Sequence, residues 1–384
     1  MNILFVAENM NINGANRSLL NLLSAIDTNR HRVDLLLFSH SGPLMNSIPS
    51  TVRLLPPDGV LSYFSSDLRT AFKKAPFKIK LIRLLAAILR KFSINAYIAI
   101  KELLFYWAPS QKTQYDLAVG YCEGSTHRFV LQKTHAKKKV GWIHIHLEDF
   151  SSYKCQQLAL CRKLDRIVVV SQASKLSAVR CGVEDSKIRV IHNILPVKQI
   201  LELSSDKGPA VENDCSVKLL TVGRLVAQKG IDLLLDIAAI LKAQQIDFNW
   251  HVVGGGVQLL YYREKAKDLS LENHVIFHGS VSNPYPFFAS CDVYVQPSFS
   301  EGWGMAITEA KILKKPVVAS DIPVFGEQIT HEKNGLLCSL NAEDFAHAIS
   351  RIIHDCTLRE SVIRQISSED LGYEKDVNKL YELC

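Results

Sequence analysis

The sequence predicts an α/β protein built from two doubly wound, Rossmann-like domains in succession, facing a central cleft. Three observations lead there. Short apolar runs alternate with helical stretches along the chain, the signature of βαβ units and parallel sheets. The alternation breaks once, over the polar stretch 196–216 with its Ser204-Ser205-Asp206-Lys207-Gly208-Pro209, the composition of a linker. The 384 residues suit two domains at about 150 residues each.

In order, Ile3–Ala7 reads as the first strand, followed by a turn at Asn13-Gly14-Ala15 and a helix from Asn16 to Ala25. Val33–Phe38, Asp116–Tyr121, Lys139–Ile143, Arg166–Ser171 and Ile188–His192 supply further strands of a first domain, 1–195. After the linker, strands are expected at Lys218–Val222, Trp250–Val253, Val275–His278, Val293–Gln296 and Pro316–Ala319. Helices Ile231–Ala243, Leu259–Ala266 and Gly304–Leu313 alternate with them in a second domain, 217–365. The tail from Ala342 to Leu383 reads as mostly helical. In sheets of this kind ligands bind beyond the carboxyl ends of the strands.

Composition narrows the class. Apolar residues make up 47% and charged residues 22%, ordinary for a soluble globular protein, so disorder, collagen-like repeats and coiled coil are excluded as the main organisation. The nine cysteines are odd in number, scattered and without a Cys-x-x-Cys, and read as free thiols of a reducing compartment. The opening strand has no basic flank and is cut short by Glu8, unlike a secretory signal, and no apolar run is long enough to span a bilayer. A cytoplasmic protein, or one peripheral on the inner face of a membrane, is expected.

The charge is uneven. Arg69, Lys73, Lys74, Lys78, Lys80, Arg83, Arg90, Lys91 and Lys101 fall between 69 and 101 with no acidic residue among them; the other 36 of the 45 basic residues face 38 acidic ones. The whole positive excess therefore sits here. Lys78 to Phe92 reads as a helix with an apolar stripe of Ile79, Ile82, Leu85, Ala86, Leu89 and Phe92, and with Lys80, Arg83, Arg90 and Lys91 away from it. Such a basic amphipathic helix suits an anionic membrane surface, or is an ordinary packed helix with a solvated face. No nucleic-acid-binding motif accompanies it.

Three clusters carry chemistry. Gly223-Arg224-Leu225-Val226-Ala227-Gln228-Lys229-Gly230 leaves a strand and enters a helix, where unpaired N–H groups and two cations suit a diphosphate. Glu301-Gly302-Trp303-Gly304-Met305 leads into a helix carrying Glu309. The two carboxylates are eight residues apart, roughly 12 Å along a helix and about the reach of a nucleotide-sugar. They equally suit mere complements of a helix dipole. Trp142-Ile143-His144-Ile145-His146 ends a strand, so its histidines point towards a ligand or pair on a metal; no Asp-x-Asp or His-Glu-x-x-His supports a metal.

Together these motifs resemble the retaining, metal-independent GT-B glycosyltransferases of the large "group one" family. The resemblance is strongest over Lys218–Leu337, through Gly223-Arg224-Leu225…Lys229-Gly230, Gly254-x-Gly256, Phe277-His278-Gly279, Glu301-x7-Glu309, Pro316-Val317-Val318-Ala319 and Asn334-Gly335-Leu336. It is looser over the first half, at Asn13-Gly14-Ala15, Trp142-Ile143-His144, Val170-Ser171 and Ile191-His192-Asn193. It implies a nucleotide-sugar donor, UDP before GDP, and a saccharide or lipid-linked acceptor in surface glycan synthesis. It further implies front-face transfer with retention and no metal cofactor.

Carried over, it implies that Arg224 and Lys229, beside Gly223, hold the diphosphate and that Glu309 binds the ribose. Glu301 would bind the sugar, with Trp303, Gly304 and Met305 offering N–H groups around it. His278 and Val281 would flank the base, Gly14 and Ala15 would approach the diphosphate, and His144 would lie near the transferred sugar. A final segment, 366–384, would return to the first domain. Ala15 stands where a second glycine is common, and Ile194 where Gly or Pro often follows the Asn. A silent GT-B-like partner-binding scaffold and a nucleotide-sugar epimerase are the competing readings. A nicotinamide dehydrogenase lacks its Gly-x-Gly-x-x-Gly after the first strand.

Overall fold

The computed structural model describes residues 1–56, 60–62, 76–89, 105–149, 154–206 and 216–384. The chain forms two compact units, Met1–Ile194 with Glu374–Cys384, and Leu195–Tyr373.

The first unit holds a parallel sheet of seven strands in the order β3-β2-β1-β4-β5-β6-β7. These are β1 Asn2–Ala7, β2 Arg32–Leu37, β3 Arg53–Leu54, β4 Gln114–Gly120, β5 His135–Ile143, β6 Arg166–Val169 and β7 Ile188–Val190. Its helices are α1 Gly14–Ala25, α2 Phe77–Leu89, α3 Ser125–Lys133, α4 Lys154–Lys163 and α5 Gln172–Arg180. The central strand β1 is apolar on both faces because helices cover both; Ile3, Leu4, Phe5, Val6 and Ala7 are all fully buried. β1 pairs Ile3 with Val33 on one side and Leu117 on the other.

The second unit begins with α6 Val197–Ser204 and carries a six-stranded parallel sheet, β10-β9-β8-β11-β12-β13. The strands are β8 Val217–Val222, β9 Phe248–Val253, β10 Val275–Gly279, β11 Val293–Gln296, β12 Val317–Ser320 and β13 Leu336–Cys338. Around them lie α7 Ile231–Ala243, α8 Leu259–Asp268, α9 Tyr285–Ser290, α10 Met305–Ile312, α11 Pro323–Gly326, α12 Ala342–His354 and α13 Cys356–Ile366. Helix α12 shows why the tail folds: Asn341 caps it by accepting from Asp344 N at 2.8 Å, and Phe345, Ala346, Ile349 and Ile352 recur at helical spacing on its buried face.

In each sheet the sequence order reverses at one point, between β1 and β4 and between β8 and β11. The loops leaving those strands diverge to opposite faces and leave a crevice at the carboxyl edge, where ligands of doubly wound sheets bind.

Three expectations change. The stretch 196–216, read as linker, opens with α6, whose Ile200 is fully buried; the turn signals at Ser204–Asp206 end a helix, and 207–215 lie outside the described residues. The return to the first unit starts at Glu374 and not at 366: Ile366 is buried in the second unit's core, and Glu369 Oε2 pairs with Lys311 there at 2.5 Å. Helix α14, Val377–Tyr381, completes the first unit; Asp376 accepts from His192 N at 3.0 Å and Tyr381 stacks on His31 at 4.3 Å.

The third change concerns α2. Ile79, Ile82 and Ala86 of the expected stripe are buried, with Ile79 and Ile82 in the same core cluster as Leu4, Val6 and Phe105, whereas Leu85 is exposed. Arg90, Lys91 and Phe92 lie outside the described residues. Among the described residues no helix is long and apolar enough to cross a membrane, and the eight cysteines are free thiols.

Candidate functional site

The second unit concentrates the expected residues at its carboxyl edge. Beyond β8, Gly223 N donates to Val253 O (2.9 Å) and Leu225 N to Gly255 O (2.9 Å), tying this loop to the one after β9. The chain then turns through Ala227–Lys229 into α7, with Gly230 in the left-handed region at φ +69°. A Cβ on Gly230 would lie 1.9 Å from the Pro297 carbonyl oxygen, so only glycine lets the loop after β8 meet the loop after β11. Phe299 N donates to Gln228 O (2.9 Å) and Gln228 Nε2 to Ser300 O (2.8 Å), fastening the same two loops.

That contact joins two of the three clusters. The Lys229 ammonium forms an ion pair with Glu301. Glu301 Oε1 also accepts from Ser298 Oγ at 2.9 Å, and Ser298 Oγ accepts from Gln296 Nε2 at 2.6 Å. Tyr294 OH in turn donates to Gln296 Oε1, so a buried polar chain runs from β11 to the ion pair and fixes the carboxylate. Arg224 is exposed and has no ion-pair partner among the described residues. Gly223 sits under the Lys229 stem, 3.5 Å from where its Cβ would be.

Glu301 and Glu309 flank the start of α10. Gly304 caps it at φ +79°, with the Phe325 ring where a side chain would go. The Trp303 carbonyl accepts from Gln328 Nε2, and Gln328 Oε1 accepts from Thr308 Oγ1 at 2.7 Å, so the entry to α10 is held from behind. Trp303 is buried, edge-on to Tyr373 at 5.5 Å, while Met305 is partly exposed. Glu309 is buried and accepts from Tyr285 OH at 3.2 Å. At the end of β10, His278 Nε2 lies 2.9 Å from His251 Nδ1 and its ring meets Phe287; burial lowers its pKa. Val281 follows, partly exposed.

The first unit carries the remaining residues at its own carboxyl edge. Asn13 caps α1 by accepting from Asn16 N at 2.8 Å, so Gly14 and Ala15 open the helix, Gly14 exposed. His144, one residue beyond β5, donates from Nε2 to the Tyr121 carbonyl at 2.8 Å, and the Tyr121 ring lies between the rings of His144 and Trp142, 4.8 Å from each. Burial holds its pKa at about 4, so at neutral pH it is an uncharged imidazole with the proton on Nε2.

Residues that the sequence reading missed stand beside these. Glu123 accepts main-chain N–H groups of His144 and Ile145 and, through burial, holds its proton more tightly than an ordinary carboxyl. Ser298, Gln296, Tyr294 and Tyr285 back the two glutamates. A strand ending in Tyr121-Cys122-Glu123-Gly124 carried the signal for Glu123. Tyr285 acts through Glu309, 24 residues away, whereas Ser298, three residues before Glu301, belongs to no motif of its own. Among the described residues no three His, Cys, Asp or Glu side chains gather in a way that suits a metal ion.

Comparison with known proteins meets this geometry. A family model described as "Glycosyl transferases group 1" matches residues 205–368, and one described as "Glycosyltransferase Family 4" matches 12–199. The chain is thus similar to group 1 glycosyltransferases over most of its second unit and to family 4 glycosyltransferases over most of its first. An uncharacterized glycosyltransferase of Haemophilus influenzae is 27% identical over 219 residues, 56% of this chain and 60% of that protein. The N,N'-diacetylbacillosaminyl-diphospho-undecaprenol alpha-1,3-N-acetylgalactosaminyltransferase of Campylobacter jejuni is 24% identical over 222 residues, 55% of this chain and 57% of that protein. The matched regions thus span a little over half of these relatives. Among solved structures, Anabaena HepE in complex with UDP and glucose has a TM-score of 0.70 at 19% identity, covering 100% of this chain and 98% of that one. The fold is that of the GT-B glycosyltransferases: two parallel-sheet, Rossmann-like domains.

Proposed function

We propose that this protein is a group 1 glycosyltransferase, a retaining, metal-independent enzyme that moves a sugar from a UDP-sugar to a saccharide or lipid-linked saccharide during surface glycan synthesis. One observation carries the reading: the loops after β8 and β11 pair Lys229 with Glu301 ahead of α10, at the switch point of the second sheet. The Campylobacter relative, named as an alpha-transferase to a diphospho-undecaprenol saccharide, and HepE with UDP support it. The reaction belongs where nucleotide-sugars are made, in the cytoplasm.

Lys229 has three N–H donors and spends one on Glu301, leaving two for phosphate oxygens; the Arg224 guanidinium adds a planar fork. These cations and the N–H groups at Gly304 and Met305 stabilise the diphosphate as it leaves, the task a divalent ion performs elsewhere. Glu309, oriented by Tyr285, accepts from the ribose hydroxyls, Glu301 from the sugar hydroxyls, and His278 with Val281 flanks the base. In the transfer, the bond from the anomeric carbon to the diphosphate oxygen breaks as the acceptor oxygen bonds to that carbon on the same face. The acceptor proton passes to the departing phosphate oxygen, and UDP leaves. On the first unit, neutral His144 offers Nδ1 to a hydroxyl, and Gly14 and Ala15 offer N–H groups at the α1 terminus.

The test is calorimetric titration of UDP and GDP, with EDTA present, into the wild type and the Arg224→Ala/Lys229→Ala variant. UDP should bind the wild type, and the double variant should lose roughly a hundred-fold or more in affinity. Absence of binding of either nucleotide, or equal binding to the variant, overturns the reading.

A further inference from the structure

Helix α2 has two apolar faces. Its 13 residues, Phe77–Leu89, turn about 100° each. On that wheel the buried Ile79, Ile82 and Ala86 form one side. Phe77, Leu81, Leu84, Leu85 and Ile88 fall within an arc of about 100° on the opposite side, and all five are exposed, from 41% to 80%. An ordinary surface helix presents polar residues there. Lys78 lies about 80° to one side of the centre of this arc and Lys80 about 80° to the other, so a cation borders the apolar strip on both flanks.

A second exposed group adjoins the same core. Phe105 packs in one buried cluster with Ile79 and Ile82, and the next two residues, Tyr106 and Trp107, are 80% and 46% exposed and meet edge to face at 6.3 Å.

We infer that the outer face of α2 is a docking surface for an anionic lipid bilayer, with the exposed Tyr106 and Trp107 as further candidates for contact. The five apolar side chains enter the acyl boundary, Lys78 and Lys80 reach back to phosphate headgroups, and the two aromatic rings sit at headgroup level. Charge selects this occupant. Lys78 and Lys80 border the strip in a segment, 69–101, whose sequence holds no acid, and each cation near the surface attracts an anionic leaflet by about 1 kcal/mol. Five aliphatic and aromatic residues in a row are also the wrong chemistry for a phosphate backbone, which is met by cations and polar groups. The surface stands without the donor assignments; resting on the proposed transfer, it selects lipid-linked saccharides from the acceptor classes.

The test is co-sedimentation of the full chain with vesicles of phosphatidylglycerol and phosphatidylcholine, and of phosphatidylcholine alone, at low and high salt. The wild type should sediment with the anionic vesicles and be released by salt. Leu81→Ser/Leu84→Ser/Leu85→Ser/Ile88→Ser should lower partitioning by roughly a hundred-fold, and Lys78→Gln/Lys80→Gln by about ten-fold or more. Both variants should retain UDP binding, which reports on the second unit separately and keeps a failed surface distinct from a failed donor site. Trp107 fluorescence should be quenched by brominated lipid. The inference is overturned if the wild type ignores anionic vesicles or the variants partition like it. It is overturned as well if sedimentation velocity finds a dimer that the quadruple variant dissociates, which would assign the face to a second copy of the chain.

Discussion

At the switch point of the second sheet, the crossing loops are joined by charge: Lys229 to Glu301, with exposed Arg224 alongside. At that of the first sheet Ser125 Oγ donates to the Glu8 carboxylate, and further contacts are made by hydroxyls, an amide and an imidazole. Ser18 Oγ lies 2.8 Å from Tyr121 OH and donates to Asn193 Oδ1 at 2.6 Å, and His144 donates to the Tyr121 carbonyl. The winding is shared and the chemistry is not. On the proposed reading, a lysine held by one carboxylate keeps two donors for an anion, whereas an uncharged imidazole and hydroxyls suit a neutral sugar. The two sheets share their winding over six strands, and the side chains at the edge set them apart.

The sharpest break in this comparison comes from backbone. Gly182 in the first unit and Gly230 in the second both have positive φ, but a Cβ meets nothing at Gly182 and strikes the Pro297 carbonyl at Gly230. Gly230→Ala should cost about 4 kcal/mol in chemical denaturation and abolish nucleotide binding, against about 1 kcal/mol for Gly182→Ala. Equal costs would mean that the two loops need not touch.

Acid should find the first unit first. His127 is fully buried, donating from Nε2 to Trp142 O at 3.1 Å, with Gln157 Nε2 2.9 Å from its Nδ1; burial holds its pKa at about 4, as it does for His144. The unfolded chain takes up these protons near pH 6.5 and the folded one near 4. The stability is therefore whole above 6.5 and lost as pH falls towards 4, by about 3 kcal/mol for His127. His127→Gln should flatten the slope of unfolding free energy against pH in that window; an unchanged slope would remove this histidine from the account.

A smaller effect is expected at the charged junction. Glu301→Gln leaves Lys229 without its carboxylate and should lower stability by about 2 kcal/mol, while transfer falls a hundred-fold or more and UDP affinity changes little. The smallest belongs to Tyr285→Phe, which frees Glu309 from one hydrogen bond and should weaken UDP about five-fold. If Glu301→Gln exceeds Tyr285→Phe in its effect on UDP affinity, the ribose and sugar roles of the two glutamates are exchanged.

Much of this was legible locally. Strand runs such as Val293–Gln296 and the Gly223–Gly230 and Glu301–Glu309 clusters announce themselves by period and spacing, and the structure brings the two clusters to one edge. What escaped depends on distance. The Tyr294–Gln296–Ser298 chain matters only because Lys229 arrives from another loop. The linker composition at Ser204–Lys207 concealed α6 because turn residues end helices as readily as they fill loops. On α2 the sequence shows apolar residues nearly all round, and period alone does not say which side faces the core.

The first unit is closed by residues near the far end of the chain. Asp376 holds the main chain of His192 at 3.0 Å, 184 residues earlier, and Tyr381 covers His31. During synthesis the closing segment of the first unit is therefore made only after every residue of the second. The part of the protein begun first is the part completed last, and a chain cut before residue 374 keeps all the residues of the second unit while its first unit lacks its closing helix.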